Sequence, residues 1–300
     1  MSRERVGFDS RTIELSNLEK VLFPEDGITK ADLIDYYDRA AAVMLPFVQG
    51  RPLMLERFPD GIYGDTFVQQ QAPDYFPEWI ARAAVPLKGG GSITHITAEN
   101  RETLLYLANQ VSVPHIWLSR ADTPDNPDRM IFDIDPSEDR FGPVRSTALM
   151  LREFLREAGL GSFVMTTGSR GLHVVVPLDG RAGFDEVRGF AQGMVGVLIR
   201  MEPDMVTAEQ RIERREGRVY IDVQRNAFGQ TAVAPYAVRA LAGAPVAAPL
   251  AWNELRDPRL TARAYTLRDL DRLIERKNPW EALLAEACSL EKARRRLKTI

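Results

Sequence analysis

The sequence contains one cysteine, Cys288, and three histidines, His95, His115 and His173. A single cysteine excludes an internal disulfide framework and suits a reducing cytoplasm. It lies in the helical-looking PWEALLAEACSLEKARRR with no catalytic pattern around it, and reads as structural. Three histidines without HxxxH or similar spacing exclude a conventional zinc site. No apolar run approaches the length that crosses a bilayer, and the polar start MSRERVGFDSR lacks an apolar secretory core, so no membrane partner is expected. Repeats and low-complexity segments are absent, as are Rossmann and Walker glycine spacings. Positive charge is not in excess either: 39 Lys and Arg stand against 42 Asp and Glu, a formal net charge of −3. Nucleic-acid binding would therefore need local basic patches. EKARRRLKTI is one such patch, though it reads equally as the solvated basic end of a helix.

What is present is the composition of a globular chain: 300 residues, 45% hydrophobic and 27% charged. That is enough for one large domain or two smaller ones. Thr29 is placed to cap a helix over about 30–45 with an apolar stripe of Leu33, Tyr36, Tyr37, Ala40 and Met44. RPLMLERFPDGIYGDTFVQQQ reads as strands around a PDG turn, GSITHITAEN as a strand, and NRETLLYLANQVS as a helix capped by Asn100. Further helices are expected in GPVRSTALMLREFLREAGL and FDEVRGFAQGMVGVLIRMEP, and strands in GSFVMTTGSRGLHVVVPL and GRVYIDVQRN. Helices and hairpin-like strand pairs mix without strict βαβ order. The expected class is α+β, with largely antiparallel sheets and flanking helices. One catalytic domain over 1–300 is expected, its core about 11–240 and a helical C-terminal flank about 250–300.

The segment RMIFDIDPSE is an apolar strand carrying Asp133 and Asp135, which share a face at the strand period of two. At about 4 Å and an effective dielectric near 20, two such charges repel by roughly 4 kcal/mol. Asp222, in VYIDVQRN, offers a third carboxylate at the end of another apolar strand. Hard divalent cations relieve such repulsion, and three Asp suit two metals clamping a phosphoryl transfer. Solvated strand-end aspartates are the plain alternative, and D-x-D also occurs in glycosyltransferases and in phosphatases of the haloacid-dehalogenase type. In TTGSRGLHVVV, Gly168 and Gly171 bracket a turn that could cradle phosphates, with Thr167, Ser169, Arg170 and His173 as donors. An ordinary hairpin is the other reading.

Taken together, FDIDP, TTGSRGLHVVVPL and VYIDVQRNAFGQTAVAPYAVRA resemble the polymerase domain of bacterial ligase D, in the archaeo-eukaryotic primase superfamily. LEKVLFP, ITKADLIDYY, GRPLMLERFPDG and WLSRADTPDNPDRMIFDIDP fall in matching order, so the resemblance spans about residues 11–290. It implies a primase-polymerase core that extends primers and fills short gaps in end joining, with NTP or dNTP as substrate and ribonucleotides preferred. It implies two Mn²⁺ or Mg²⁺ ions on Asp133, Asp135 and Asp222. His115, Thr167, Ser169, Arg170, His173 and Arg239 would hold the nucleotide. Lys20 and Lys30 would bind the 5′-phosphate of a gap or end, and Phe67, Arg225 and Asn226 would contact DNA. Ku and an ATP-dependent DNA ligase are the implied partners. Arg170 stands where many members have Lys, Glu56 where some have Lys, and FVQQQ replaces a more aromatic and basic stretch. No ligase or nuclease module is recognisable within the sequence, as expected of an excised domain or a stand-alone relative. The rival readings are a D-x-D glycosyltransferase and a non-catalytic end-binding module.

Overall fold

The computed structural model describes residues 3–8, 11–87 and 89–297. The first stretch of chain runs β1 (Arg3–Phe8), β2 (Arg11–Ser16), β3 (Val21–Phe23), β4 (Ile28–Thr29), α1 (Lys30–Val48), β5 (Leu53–Arg57), β6 (Phe67–Gln69), β7 (Arg82–Pro86), β8 (Ser92–Ile96), α2 (Arg101–Asn109) and β9 (Ser112–Trp117). Then follow β10 (Ser119–Arg120), β11 (Thr123–Pro127), β12 (Arg129–Asp135), α3 (Phe141–Glu157), β13 (Phe163–Thr166), β14 (Leu172–Pro177), α4 (Phe184–Met201), β15 (Val206–Thr207), β16 (Val219–Asp222), β17 (Thr231–Val233), β18 (Pro249–Leu250), α5 (Leu270–Ile274) and α6 (Leu290–Leu297). The chain forms two compact units that share its length. One comprises the chain up to Trp117 with Val233–Ala247 and Tyr265–Lys277, the other Leu118–Ala232 with Ala248–Ala264 and the chain from Asn278 on.

In the first unit, β5 pairs antiparallel with β9 on one side and with β6 and β8 on the other, and β7 extends the sheet beyond β8. Helix α1 starts as its sequence dictates. The Thr29 hydroxyl accepts from Asp32 N while the Asp32 carboxylate accepts from Thr29 N, a reciprocal capping box. The helix continues past its expected end, through Pro46 to Val48. One intrahelical bond is lost at the proline, but Phe47 and Val48 are fully buried and hold the last turn. Two buried tyrosines of α1 fix a distant segment of the same unit. Tyr36 donates to Tyr236 O at 2.9 Å, and Tyr37 accepts from Val238 N at 3.1 Å.

The second unit is built on a six-stranded sheet of order β15-β16-β12-β14-β13-β18, antiparallel at every junction except β15–β16. Strand β12 is central, and Met130, Phe132 and Ile134 on one of its faces are fully buried. At Ile131, β16 no longer reaches β12, and a side chain takes over the ladder. Ile131 N donates to Asn226 Oδ1 at 2.8 Å, and Asn226 Nδ2 donates to Ile131 O at 2.7 Å and Val223 O at 2.9 Å. The expected helical flank is mostly short 3-10 turns, Trp252–Arg256, Leu267–Asp269 and Glu281–Leu284, with only α5 and α6 as α-helix. Pro258 and Pro279 interrupt any longer run. Trp280, fully buried there, donates its indole N–H to Val164 O of β13 at 2.9 Å.

Replacing Asn226 with Ala leaves the Ile131 N–H and C=O unpaired in the interior. The expected loss in chemical denaturation is about 2–4 kcal/mol, with Asn226→Asp also destabilising because a carboxylate cannot donate to Ile131 O. A midpoint shift no larger than that of a surface substitution would contradict the clasp.

Candidate active site

Register brings the three aspartates to one face. Asp133 lies directly opposite Asp222 on β16 and His173 on β14, and Asp135 is opposite Tyr220. Directly opposed residues on antiparallel strands project to the same side. Asp133, Asp135, Asp222, His173 and Tyr220 therefore share it, backed by the apolar layer beneath β12. Asp133 is only 5% exposed. Burial pushes its carboxyl up, but His173 Nε2, 3.5 Å from Oδ1, and Arg225 Nε, 3.4 Å from Oδ2, outweigh that and hold it below the usual range. Asp135 has no such contact. Burial first, then the charge of Asp133, pushes it up to about 6 against the weaker pull of Arg170, His173 and Arg215. Asp222 Oδ1 accepts from Gln224 N at 2.6 Å, so the turn after β16 fixes its side chain.

The glycine turn lies between β13 and β14 of the same unit. Thr167 closes it from within: its hydroxyl accepts from Ser169 N at 3.3 Å and Gly171 N at 3.2 Å. Gly168 takes φ +65°, which lets the chain reverse. Gly171 permits a close approach: an added Cβ would lie 2.2 Å from Ile134 O and 2.8 Å from Asp135 Oδ1. The turn is thus pressed against the strand that carries the carboxylates. Ser169 and Arg170 project from its tip, and Arg170 is exposed with no ion pair among the described residues.

The first unit carries the other expected residues in two groups. On the β5–β9 pair, His115 Nε2 and Arg239 Nη2 lie 3.6 and 3.9 Å from the same Glu56 oxygen. Contact with His115 is the main reason the Glu56 carboxyl sits below its ordinary range. A carboxylate thus stands among the nucleotide-site candidates of this unit where some family members have Lys. In the second group, the β3–β4 hairpin brings Lys20 and Lys30 to its base, where Lys30 N donates to Lys20 O at 2.9 Å. Lys20 pairs with Asp60 at 2.5 Å. Lys30 is 5% exposed, has no carboxylate partner among the described residues, and contacts Ser16 Oγ at 3.4 Å. Burial, then Lys20 and Arg57, lower its ammonium pKa to about 8. Arg57, adjacent to Glu56 in sequence, also lies 5.4 Å over the ring of Phe67, which is 47% exposed.

One expectation changes. Asn226 cannot contact DNA, because it is fully buried and its amide is committed to Ile131 and Val223. Arg225 lies against Asp133, so its charge serves the carboxylate face. Arg57, and the meeting of Glu56 with Arg239, had no local sequence signal, since both depend on pairing across distant segments.

Among the described residues, no three His, Cys, Asp or Glu side chains are already drawn together as a metal cage. The contacts explain this: His173 and Arg225 face the Asp133 oxygens, and Asp222 caps Gln224 N. The donor chemistry still fits a hard divalent cation, with three carboxylates on one face and unrelieved repulsion at Asp135.

Gly171→Ala should separate the turn from β12. We expect a stability loss of about 1–3 kcal/mol. Gly189→Ala, on α4 with nothing within 4 Å of an added Cβ, should be neutral or stabilising. Thermal unfolding of both variants checks this, and equal midpoints would contradict the close approach.

The chain is similar to known proteins over most of its length. Residues 29–280 match the family model described as LigD, primase-polymerase domain. The multifunctional non-homologous end joining DNA repair protein LigD of Mycobacterium tuberculosis H37Rv is 33% identical over 264 residues, covering 84% of this chain and 34% of that protein. The bifunctional non-homologous end joining protein LigD of Bacillus subtilis 168 is 30% identical over 266 residues, covering 88% of this chain and 42% of that protein. This chain therefore spans well under half the length of these relatives. Among solved structures, the polymerase domain from M. tuberculosis ligase D in complex with DNA aligns with a TM-score of 0.87 and 32% identity, over 93% of this chain and all of that one. Sequence, fold and motif order converge, and the chain belongs to the LigD primase-polymerase domain family.

Proposed function

We propose that the chain is a template-directed polymerase module of non-homologous end joining, which extends a primer across short gaps and at broken ends. Family membership makes it a nucleotidyltransferase and removes the glycosyltransferase reading. The observation that carries the proposal is the carboxylate face of Asp133, Asp135 and Asp222 with the glycine turn pressed against it. We treat the whole chain as one catalytic module that accepts NTP or dNTP, with ribonucleotides preferred as the resemblance implies. DNA with a 5′-phosphorylated gap or end is its substrate, and Ku with an ATP-dependent ligase its partners.

Asp133, Asp135 and Asp222 would hold two Mg²⁺ or Mn²⁺ ions, which when bound lower the pKa of the primer 3′-hydroxyl and neutralise the triphosphate. The chain's own residues have distinct tasks, the first of them before the ions bind. His173 and Arg225 keep Asp133 ionised despite its burial. Thr167 holds the turn, so that Ser169, Arg170 and the backbone N–H groups are preorganised for phosphate oxygens. His115 and Arg239 bind the nucleotide, with Glu56 offsetting part of their charge. Lys20 and Lys30, supported by Arg57, take the 5′-phosphate, and Phe67 offers a ring face for base stacking.

Two outcomes test this. Asp133→Ala should fold normally yet lose extension of a gapped primer–template by about 10³-fold or more, the equivalent of several kcal/mol of transition-state stabilisation. Near-normal extension would reject the assignment. The second concerns pH. An ammonium is cationic below its pKa, and that of Lys30 is lowered to about 8. Preference for a 5′-phosphate over a 5′-hydroxyl should therefore be largest near neutrality and fall as pH rises through 8, whereas an unperturbed lysine would stay charged. Lys30→Met should flatten the profile. Binding titrations at low salt that show a pH-independent ratio in the unaltered protein would contradict this.

A further inference from the structure

A cavity of about 670 Å³ adjoins the glycine turn in the second unit. Its wall begins at Pro136, the residue after Asp135, runs through Phe141, and is completed by Ser169, Arg170 and the segment Thr261–Arg263. Arg263 comes from a part of the chain more than ninety residues beyond the turn, and its Nε donates to Ser169 O at 2.9 Å. That bond uses one of the five guanidinium donors. Among the described residues neither Arg263 nor Arg170 has a carboxylate partner, so two uncompensated guanidinium groups face one cavity. Arg140 also lines it but is matched by Glu138 at 2.6 Å. Asp139 is the one remaining opposing charge on the wall. The hydroxyls of Ser169 and Thr261 add neutral donors.

We propose that this cavity is a holding site for the pyrophosphate leaving group, with Arg263 as its second cationic wall and as the residue that positions the turn. The assignment rests on the polymerase reading. In that reaction the O3′–Pα bond forms, the bond from Pα to the bridging oxygen breaks, and its electron pair leaves with the pyrophosphate. The 3′-hydroxyl proton passes to solvent. The product bears at least three negative charges next to buried carboxylates. Two guanidinium groups beyond the turn draw that charge away from Asp135 and match phosphate oxygens with paired N–H donors. Arg170 alone would hold one end of the anion. Arg263 supplies the other and, through Ser169 O, ties the position of the turn to the filling of the cavity.

The test is calorimetric titration of the full chain with inorganic pyrophosphate, with orthophosphate for comparison, alongside primer extension in the presence of added pyrophosphate. We expect pyrophosphate to bind more tightly than orthophosphate. Arg263→Ala should weaken pyrophosphate binding by about tenfold, the order of one charge-assisted bond, and relieve product inhibition by a similar factor. Arg263→Lys, which keeps charge but not the fork, should fall between. Thr261→Glu removes the hydroxyl that accepts from Arg263 N at 3.3 Å but keeps the Arg263 guanidinium and adds a negative charge to the same wall, so it should weaken binding even if Arg263→Ala folds poorly. A chain that extends primers while neither Arg263→Ala nor Thr261→Glu changes pyrophosphate affinity overturns the holding site and leaves the polymerase reading standing. Arg263-dependent binding in a chain that extends no primer overturns the polymerase reading, and the assignment to a leaving group with it.

Discussion

Repulsion among like charges on one sheet face is the constraint on which the second unit is built. Asp133, Asp135 and Asp222 share a side of adjacent strands because the β12–β14 and β12–β16 registers allow nothing else. A slip of β12 by one residue would turn Asp133 and Asp135 away from Asp222 and into the apolar layer that Met130, Phe132 and Ile134 now form. The Asn226 clasp on Ile131 works against that slip, since it pairs the β12 backbone where β16 has ended. The close approach of Gly171 to Ile134 and Asp135 acts similarly from the β14 side.

Within that frame the two central carboxylates differ in ionisation. Asp133 is the more buried, yet it stays ionised because His173 and Arg225 stand beside it. Asp135 has only the distant pull of Arg170, His173 and Arg215 and is pushed up to about 6. The face is thus partly neutralised by Arg225 beside Asp133 and partly left in repulsion at Asp135. A cation-binding role is consistent with the second condition, and the first explains how the fold tolerates the carboxylates without a closed cage. Cationic groups without an ion pair occur in each unit. Lys30 and Arg170 lack carboxylate partners among the described residues, and so does Arg263. For buried Lys30 that is a costly arrangement unless an anion is bound there for part of the working cycle, whereas Arg170 and Arg263 are exposed and solvated.

Much of this was legible in the chain. Period-two alternation placed Asp133 and Asp135 on one face, and VYIDVQ did the same for Tyr220 and Asp222. Thr29 and Asn100 announced helix starts that the structure confirms through Asp32 N and Thr103 N. The order of motifs identified the family. What local pattern could not show depends on contacts across long sequence separations. The Asn226 amide looks like a polar loop residue until β16 is seen to stop short of Ile131. Glu56 meets His115 through the β5–β9 pairing, and Arg239 from the segment that the Tyr36 and Tyr37 hydroxyls hold at residues 236–238. Arg263 lies in TARAYTLRD, a stretch with no motif, and gains meaning only from Ser169 O. The C-terminal tail departs from the helical expectation for a related reason: its residues favour helix locally, but prolines and packing of Trp280 on β13 break it into turns.

We propose that divalent cations complete what His173 and Arg225 begin, by occupying the space among the three aspartates. Anomalous diffraction from crystals of the chain soaked with Mn²⁺ and a non-hydrolysable nucleotide tests it most directly. Anomalous peaks are expected among the carboxylates of Asp133, Asp135 and Asp222, with the Arg225 guanidinium displaced from Asp133. Peaks confined to other surfaces, with Arg225 still seated on Asp133, would contradict it.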